Sequence, residues 1–374
     1  MATSEQEPGD DKPLTVFQRR WRKFKTLRRG WWSFRLLTLL YLLSFLNPVL
    51  INNKALIVSY EGELSFPAVE ELLPFGDTGY RAAKDLGQYD PRRPDRLMRG
   101  EANYRLLASQ YAEKGEGKWV LLPPYHYHPN ENLLKEPGFE GRPPTPPDAE
   151  HWMGTDDRGR DVFARLVYGF RISITFALLV VAVSYLIGMT VGATLGFFGG
   201  KVDILGQRLV EIWAAMPFLY TVIIISAIVN PDLWILIGIL SLFYWIGISF
   251  YMRGEFLREK AKDYVAAAIS IGESNRAIMF KHILPNALTP IVTFAPFAIV
   301  GGISALVSLD YLGFGLRPPT PSWGELVGQG LANINAWHLV LFPLSALFGT
   351  LLMVVFIGEA VREAFDPKVF SRLR

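Results

Sequence analysis

Between His151 and Asp161 the chain carries Asp156, Asp157, Arg158, Arg160 and Asp161 around two glycines, Gly154 and Gly159. Carboxylates this close in sequence suit a pair for acid/base work, a hard-cation site, or a staple in which aspartates and arginines neutralise one another. The first two need side chains converging from elsewhere. The staple needs only the residues at hand, and it is the reading for most of them individually. Tyr125-His126-Tyr127-His128 offers two imidazoles, but the chain has no cysteine and no His-Glu-x-x-His pattern, so a packing or surface role is expected and no metal site is predicted. Asp310 ends a long apolar run. An ionisable group beside a membrane span is costly, which makes Asp310 a candidate for holding an ammonium group on a substrate path; a water-exposed or Arg-paired aspartate at a span end is the competing reading. Gly200-Lys201 is preceded by Leu195 where a phosphate-binding loop requires its first glycine, and is followed by Val202, so no ATPase site is present. No Gly-x-Ser-x-Gly elbow occurs either, and no catalytic residue is assigned.

The elements that must position these residues are set by composition. Half of the 374 residues are apolar and a fifth are charged, so polar segments alternate with hydrophobic ones. Six apolar runs reach the roughly 20 residues needed to cross a bilayer. They centre on 32–50, 172–198, 209–229, 233–251, 291–312 and 337–357. Arg19, Arg20, Arg22, Lys23, Lys25, Arg28 and Arg29 precede the first run, which places the N-terminus in the cytoplasm by the positive-inside rule. Six crossings return the C-terminus there, with the basic loop 253–281 on the same side. The expected order is a basic cytoplasmic segment (1–30), a first span (31–51), an extracytoplasmic insertion (52–167), a core of five further spans (168–358) and a cytoplasmic tail (359–374). In the insertion, Glu61-Gly62-Glu63 and Pro91-Arg92-Arg93-Pro94 read as turns, residues 104–111 as a short helix, and 138–147 as an extended, proline-rich strap. Its apolar residues are too scattered to assign a fold from sequence. Without cysteine it holds together by packing alone.

The polar segment 253–286 between two apolar runs carries the most specific pattern. Ala266, Ala267 and Ala268 favour helix, Gly272 breaks it, and Ser274 can cap a second helix that is expected to stop at Pro285. Small side chains beside Gly272 leave a low surface for another protein's backbone, and Arg276 and Lys281 can meet its carboxylates. The alanine-to-Gly272 spacing and the closing His282-Ile283-Leu284-Pro285-Asn286 resemble the coupling loop of permease subunits in binding-protein-dependent, ATP-driven importers. That family usually has Glu where this chain has Ala266.

Four further motifs extend the resemblance. Gly154-Thr155-Asp156 with Gly159-Arg160-Asp161 is similar to the segment that leads into the permease core of the dipeptide and oligopeptide importers. There it forms a turn and helix start, followed by an interfacial helix. In this sequence Asp161 suits a helix N-terminus, and Arg165 and Arg171 are expected at the headgroup level. Gly313, Gly315, Pro318, Pro319, Pro321 and Trp323-Gly324 match the subfamily's scoop over the translocation path. Gly199-Gly200-Lys201 and Gly358-Glu359 also match in place and order. The large insertion, and Asp310 where a small polar residue is common, resemble the Yej-type permeases, associated with uptake of peptides and of the peptide antibiotic microcin C. The resemblance implies an all-α, multi-pass bacterial inner-membrane subunit with the type I importer permease fold. It implies a second, related permease subunit, two ATPase subunits or one fused double ATPase that hold the ATP and Mg, an extracytoplasmic solute-binding protein, a peptide substrate and surrounding lipid. No cofactor on this chain and no nucleic acid are expected. The same scaffold importing nickel or a sugar conjugate is the main alternative; a membrane receptor is a distant one.

Overall fold

The computed structural model describes residues 15–365 except 73–79, 92, 115–116, 137–138 and 140. Helices dominate. α1 (Val16–Thr26) and α2 (Arg28–Leu43) lead through a 3-10 turn into α3 (Asn47–Leu50). α4 (Pro67–Leu72) and α5 (Tyr104–Lys114) belong to the insertion. The remaining helices are α6 (Val162–Phe198), α7 (Gly200–Ala214), α8 (Phe218–Val229), α9 (Leu233–Lys260), α10 (Asp263–Ser270), α11 (Asn275–Ala277), α12 (Leu284–Ala287), α13 (Thr289–Tyr311), α14 (Trp323–Ala332) and α15 (His338–Phe365). Among the described residues five stretches are long and apolar enough to span a bilayer: Arg28–Leu50, α6, α9, α13 and α15. The expected straight span 209–229 is instead a pair, α7 and α8, bent by 70°. Pro217 caps α8 and supplies no amide hydrogen, so the ladder cannot run through it. Nor does a separate interfacial helix precede the second span. α6 begins at Val162 and runs unbroken for 37 residues, about 55 Å at 1.5 Å per residue.

α6 and α9 form the seam of the core, and small residues explain it. Gly188, Gly192 and Gly196 lie one turn apart on α6. A Cβ at each would sit 2.3 Å from Ile248 Cγ2, 2.3 Å from the Ser249 carbonyl and 2.5 Å from the Arg253 carbonyl. Backbones can approach this closely only where side chains are missing, the usual device of membrane helix pairs. The order of contacts shows that α6 and α9 run parallel, with α7–α8 returning between them. α13 packs back along α6, where Gly302 meets Ala177. α15 carries the chain to the end where Lys23 of α1 pairs with Glu363 at 3.1 Å. One end of the bundle therefore holds α1, the end of α15 and the segment after α9. The insertion occupies the other.

The insertion has a small core of its own, which the sequence did not reveal. β1 (Ile57–Tyr60) pairs with β2 (Glu63–Ser65) through the Glu61-Gly62 turn, where both residues have positive φ, and with the later β5 (Trp119–Leu121) on its other edge. β3 (Tyr89–Asp90) and β4 (Arg93–Leu97) make a second, two-stranded ladder. α5 covers this layer and buries Tyr104, Leu107 and Tyr111 against Ala55, Val58, Ala83 and Leu86. Three alanines and two tyrosines join Val58, Leu86 and Leu107 in this core, so a pattern search for leucine and valine finds less than half of it. The strap residues 138 and 140 lie outside the described residues, as does Arg92 of the expected turn.

Candidate functional site

The segment after α9 folds as a hairpin of short helices. α10 carries Ala266, Ala267 and Ala268; the first two face solvent and Ala268 is buried with Val265. Gly272 has φ +79 and a Cβ there would meet nothing within 4 Å, so the position needs glycine for its backbone and leaves open space around it. Ser274 accepts the Ala277 amide and caps α11. The helix does not stop at Pro285. A π turn, Ile278–Ile283, precedes it, and Pro285 sits in the first turn of α12. Wider i→i+5 bonding skips one amide, which lets the chain pass a residue that has none. Pro285 thus redirects the helix rather than ending it.

Two carboxylates hold this hairpin, and neither was singled out from sequence. Glu273, directly after the break, lies 2.6 Å from His282 Nε2 and 3.7 Å from Lys281 Nζ. Lys281 therefore has a partner within the chain, while Arg276 is exposed and makes no ion pair among the described residues. Glu259, buried at the end of α9, accepts from Lys262 Nζ and from the Tyr264 hydroxyl, each at 2.7 Å. Burial, and then the bond to Glu259, push the Tyr264 hydroxyl up to about 12, so it stays protonated and donating. These contacts fix α10 to α9. Its outer face remains open, with Ile269 and Ile271 exposed at 53% and 77%. Apolar side chains this bare, beside a glycine, mark a surface built to be covered. A hairpin folding at Gly272 brings Glu273 back beside His282, the signal by which both could have been found.

At the opposite end of α6 the residues from His151 to Arg165 form a clasp. Asp161 caps α6 by accepting the Ala164 amide at 2.8 Å, and its other oxygen takes the Tyr125 hydroxyl at 2.6 Å and faces His151 Nδ1 at 3.0 Å. Asp156 accepts the amides of Arg158 and Arg160 and the Arg160 Nε at 2.6 Å. Gly154 has φ +72, and a Cβ there would strike the Thr145 carbonyl; Thr155 accepts the Thr145 amide, and Gly159 closes the turn with φ +67. Burial pulls the Arg160 guanidinium down, but Asp156 and Glu325 outweigh it and leave its pKa raised. Arg165 does not reach a headgroup layer. It is 0% exposed and its guanidinium meets Glu325, Asp156 at 3.5 Å, and the carbonyls of Pro129 at 3.1 Å, Pro319 at 3.3 Å and Thr320 at 3.4 Å. A buried charge persists only when paired, and here both terminal nitrogens are hydrogen-bonded while Nε has only the 3.5 Å ion pair to Asp156. Arg171 lies near the surface of the bundle, bonded to the Ser44 carbonyl and 5.3 Å from the centre of the Tyr168 ring.

Asp310 joins the same network. One oxygen accepts the Leu316 amide at 2.6 Å and the other the Ser322 hydroxyl at 2.5 Å; Ser322 in turn caps α14 by accepting the Glu325 amide. Asp310 thus ties the loop through Gly313, φ +79, and Gly315 to the end of α13. The basic residue Arg317 on that loop bonds Asn230, at the C-cap of α8. His126 and His128 make no metal-binding group, and none exists among the described residues.

Residues 188–371 match the family described as a binding-protein-dependent transport system inner membrane component. The chain is 38% identical to the peptidoglycan transport system permease protein YejE of Agrobacterium fabrum, over 94% of this chain and 93% of that one. It is also 38% identical to the inner membrane ABC transporter permease protein YejE of Escherichia coli, over 94% and 97%. The dipeptide transport system permease protein DppC of Bacillus subtilis is 35% identical over 60% of this chain and 71% of its own. Similarity over nearly the whole length, insertion included, together with five to six apolar helices, makes this chain a multi-pass inner-membrane protein of the binding-protein-dependent transport system permease family.

Proposed function

We propose that this chain is the permease subunit of an ATP-driven importer that moves peptides across the inner membrane by alternating access. The carrying observation is the α10–α12 hairpin. It is rigidly joined to α9 through Glu259, yet bare on the side that shows Ala266, Ala267, Ile271 and Gly272. An element fixed to a spanning helix and open to a partner can transmit the partner's movement. Ala266, Ala267 and Gly272 would form the contact floor, Arg276 its charged rim, and Glu273, with His282, the brace; Pro285 sets the direction in which the hairpin leaves the bundle. Ala266, in place of the usual glutamate, leaves that floor apolar. The partners are two ATPase subunits, or one fused double ATPase, which hold the ATP and Mg, together with a second, related permease chain and a solute-binding protein. Both termini and the hairpin face the cytoplasm, and the insertion faces outward.

Peptide cargo is supported by the names of the relatives, which include peptidoglycan and dipeptide transport systems. Asp310 and the clasp would shape the outer end of the path. Differential contact of the hairpin with two ATPase states is what makes it a coupling device. The test is reconstitution of the complete importer in lipid vesicles with its binding protein. Short peptides are expected to raise ATP hydrolysis, and replacing Gly272 with valine is expected to abolish that response while the complex still assembles. Assembly without any peptide response would move the cargo to another solute on the same scaffold; failure of any ATPase to associate would overturn the reading.

A further inference from the structure

The insertion contains a cleft that the transport mechanism above does not use. It has a volume of about 870 Å³, within the range of small-molecule sites, and lies between the start of α5, the segment after β5 and the loop that leads to α6. Its walls are aromatic. The Tyr127 and His151 rings lie 4.5 Å apart, and the Tyr125 and Trp152 rings 4.8 Å apart. Trp152 is 55% exposed although it packs on Tyr125 and Phe163, so one face of the indole is held in place and the rest is offered to solvent.

The charge on these walls has one sign to spare. Among the described residues Arg105 is the single arginine or lysine lining the cleft, and it is already satisfied. It bonds Glu131 at 2.6 and 3.1 Å, contacts Glu136 at 2.9 Å, donates to the His126 carbonyl and lies 4.7 Å from the centre of the Tyr127 ring. Glu136 is further bound by the Asn103 amide group. Burial, and then Arg105, hold the His126 pKa below its ordinary value, so that ring is neutral near pH 7. Asp148 and Glu150 remain. Both are exposed, and neither makes an ion pair among the described residues; one Asp148 oxygen accepts the amides of Glu150 and His151 and so shapes the loop, leaving the other free. Two unpaired carboxylates beside aromatic faces are the two halves of ammonium recognition: an ion pair, and a cation attracted to the face of a ring.

We propose that this cleft binds the ammonium-bearing end of a short peptide, with Asp148 and Glu150 holding the ammonium group and Trp152 and Tyr127 packing the adjoining side chain. This rests on the peptide reading above and adds a receiving site on the permease itself, on the insertion and outside the spans. A free peptide amino terminus and a side-chain amine share this chemistry, so the test must separate them.

The experiment uses the assembled permease–ATPase complex without its binding protein, in lipid nanodiscs, and follows Trp fluorescence or heat on titration with a lysine-free tripeptide that begins with phenylalanine. Saturable binding is expected. N-acetylation of the peptide is expected to weaken binding severalfold, the scale of ion pairs made to solvent-exposed carboxylates. The double substitution Asp148→Asn and Glu150→Gln is expected to weaken it similarly, while ATP hydrolysis without peptide stays unchanged. Asparagine at 148 keeps the acceptor that the His151 amide needs, so loss of the loop is not the explanation of a positive result. If the acetylated peptide binds as well as the free one, but a peptide carrying an internal lysine binds better than both, the ammonium is a side-chain amine and the proposal stands in that form. Equal binding of all peptides, equal binding by the double variant, or no binding at all overturns it. Stimulated hydrolysis in the complete importer alongside any of those three results would leave the peptide-importer reading intact and remove only this site.

Discussion

At the Val162 end of α6 a single guanidinium, Arg165, touches the insertion, the Asp156 turn, the loop before α14 and α14 itself, with no exposure to solvent. At the Phe198 end the α10–α12 hairpin is closed by Glu273 and anchored by Glu259, and its outer face is bare. Both ends are rich in charge, but they spend it differently. The clasp turns charge inward, where a buried network fixes one arrangement of segments far apart in sequence. The hairpin pairs most of its charge within itself, leaves Arg276 exposed, and turns apolar, small residues outward, the face that the proposed ATPase contact would cover. One end of the helix is finished by its own chain, and the other shows an uncovered apolar face.

The sharpest way to break that contrast is to remove Arg165. Arg165→Met leaves Glu325 and Asp156 near each other with Arg160 between them and Arg158 3.7 Å from Glu325, but without the buried guanidinium that met both. Removing one partner of a buried pair costs about 3–5 kcal/mol, so the detergent-solubilised protein should lose much of its thermal resistance and expose the insertion to protease. Pairing Arg165→Met with Glu325→Gln should recover part of the loss, as a double-mutant cycle would show. An Arg165→Met protein as heat-stable as the parent would mean that the clasp is ornamental. The next largest effect belongs to the seam between the two ends. Gly192→Leu must place its side chain where a Cβ alone would sit 2.3 Å from the Ser249 carbonyl. Overpacking of this kind costs about 1–3 kcal/mol, read as a lower midpoint of thermal aggregation. The same substitution at Gly238, where a Cβ would meet nothing within 4 Å, should be close to neutral.

How far each end could be read in advance follows from the range of its contacts. The cap at Asp161, the break at Gly272, the cap at Ser274 and the Glu61-Gly62 turn depend on neighbours a few residues away, and their residue types announce them. The Arg165–Glu325 contact spans 160 positions, and an arginine in a sequence of this kind looks like any other basic flank. The bend between α7 and α8 was missed because hydropathy measures whether a stretch can lie in a membrane and says nothing of its direction. Pro285 misled because its usual effect was cancelled by a π turn that leaves no mark in composition. The insertion's core was hidden because five of its eight buried residues are alanine or tyrosine and they are spread from Ala55 to Tyr111.

At the coupling end the expected outcome separates structure from function. Gly272→Val forces a β-branched residue into φ +79 at a site with open space, so the penalty is backbone strain of about 1–2 kcal/mol with no clash. The fold should tolerate this, and the midpoint of thermal unfolding should move only slightly. Coupled ATP hydrolysis should nonetheless fall by at least about tenfold, a typical size for the coupling between two sites. Full activity in a folded Gly272→Val protein would show that the hairpin's tip does not carry the contact. Loss of both fold and activity would blur the contrast between the ends, and Gly272→Asn, which tolerates positive φ better, would then be the informative variant.

The smallest effect concerns protons at the insertion end. His126 and His128 both have lowered pKa values. Burial is the main cause in each; Arg105 adds to it for His126, while at His128 the carboxylates Glu71 and Glu131 oppose it and Lys54 assists it. An unfolded histidine titrates near about 6.5. Below that pH the unfolded chain takes up protons that the folded insertion refuses, and stability falls wherever the unfolded state binds more protons as pH drops. The insertion should therefore keep its full stability above the ordinary imidazole pKa and lose it as pH falls through that value toward the lowered ones. Limited proteolysis of the full-length protein at about pH 7.5 and at about pH 5.5 should show faster cleavage within the insertion under acid. His128→Asn retains an acceptor for the Asn130 amide, which His128 Nδ1 now takes at 3.2 Å, but cannot titrate. That variant should lose part of the acid sensitivity. A parent protein equally resistant at both values, or an unchanged drop in the variant, would assign the pH response to other groups and leave the packing of the two imidazoles without energetic consequence.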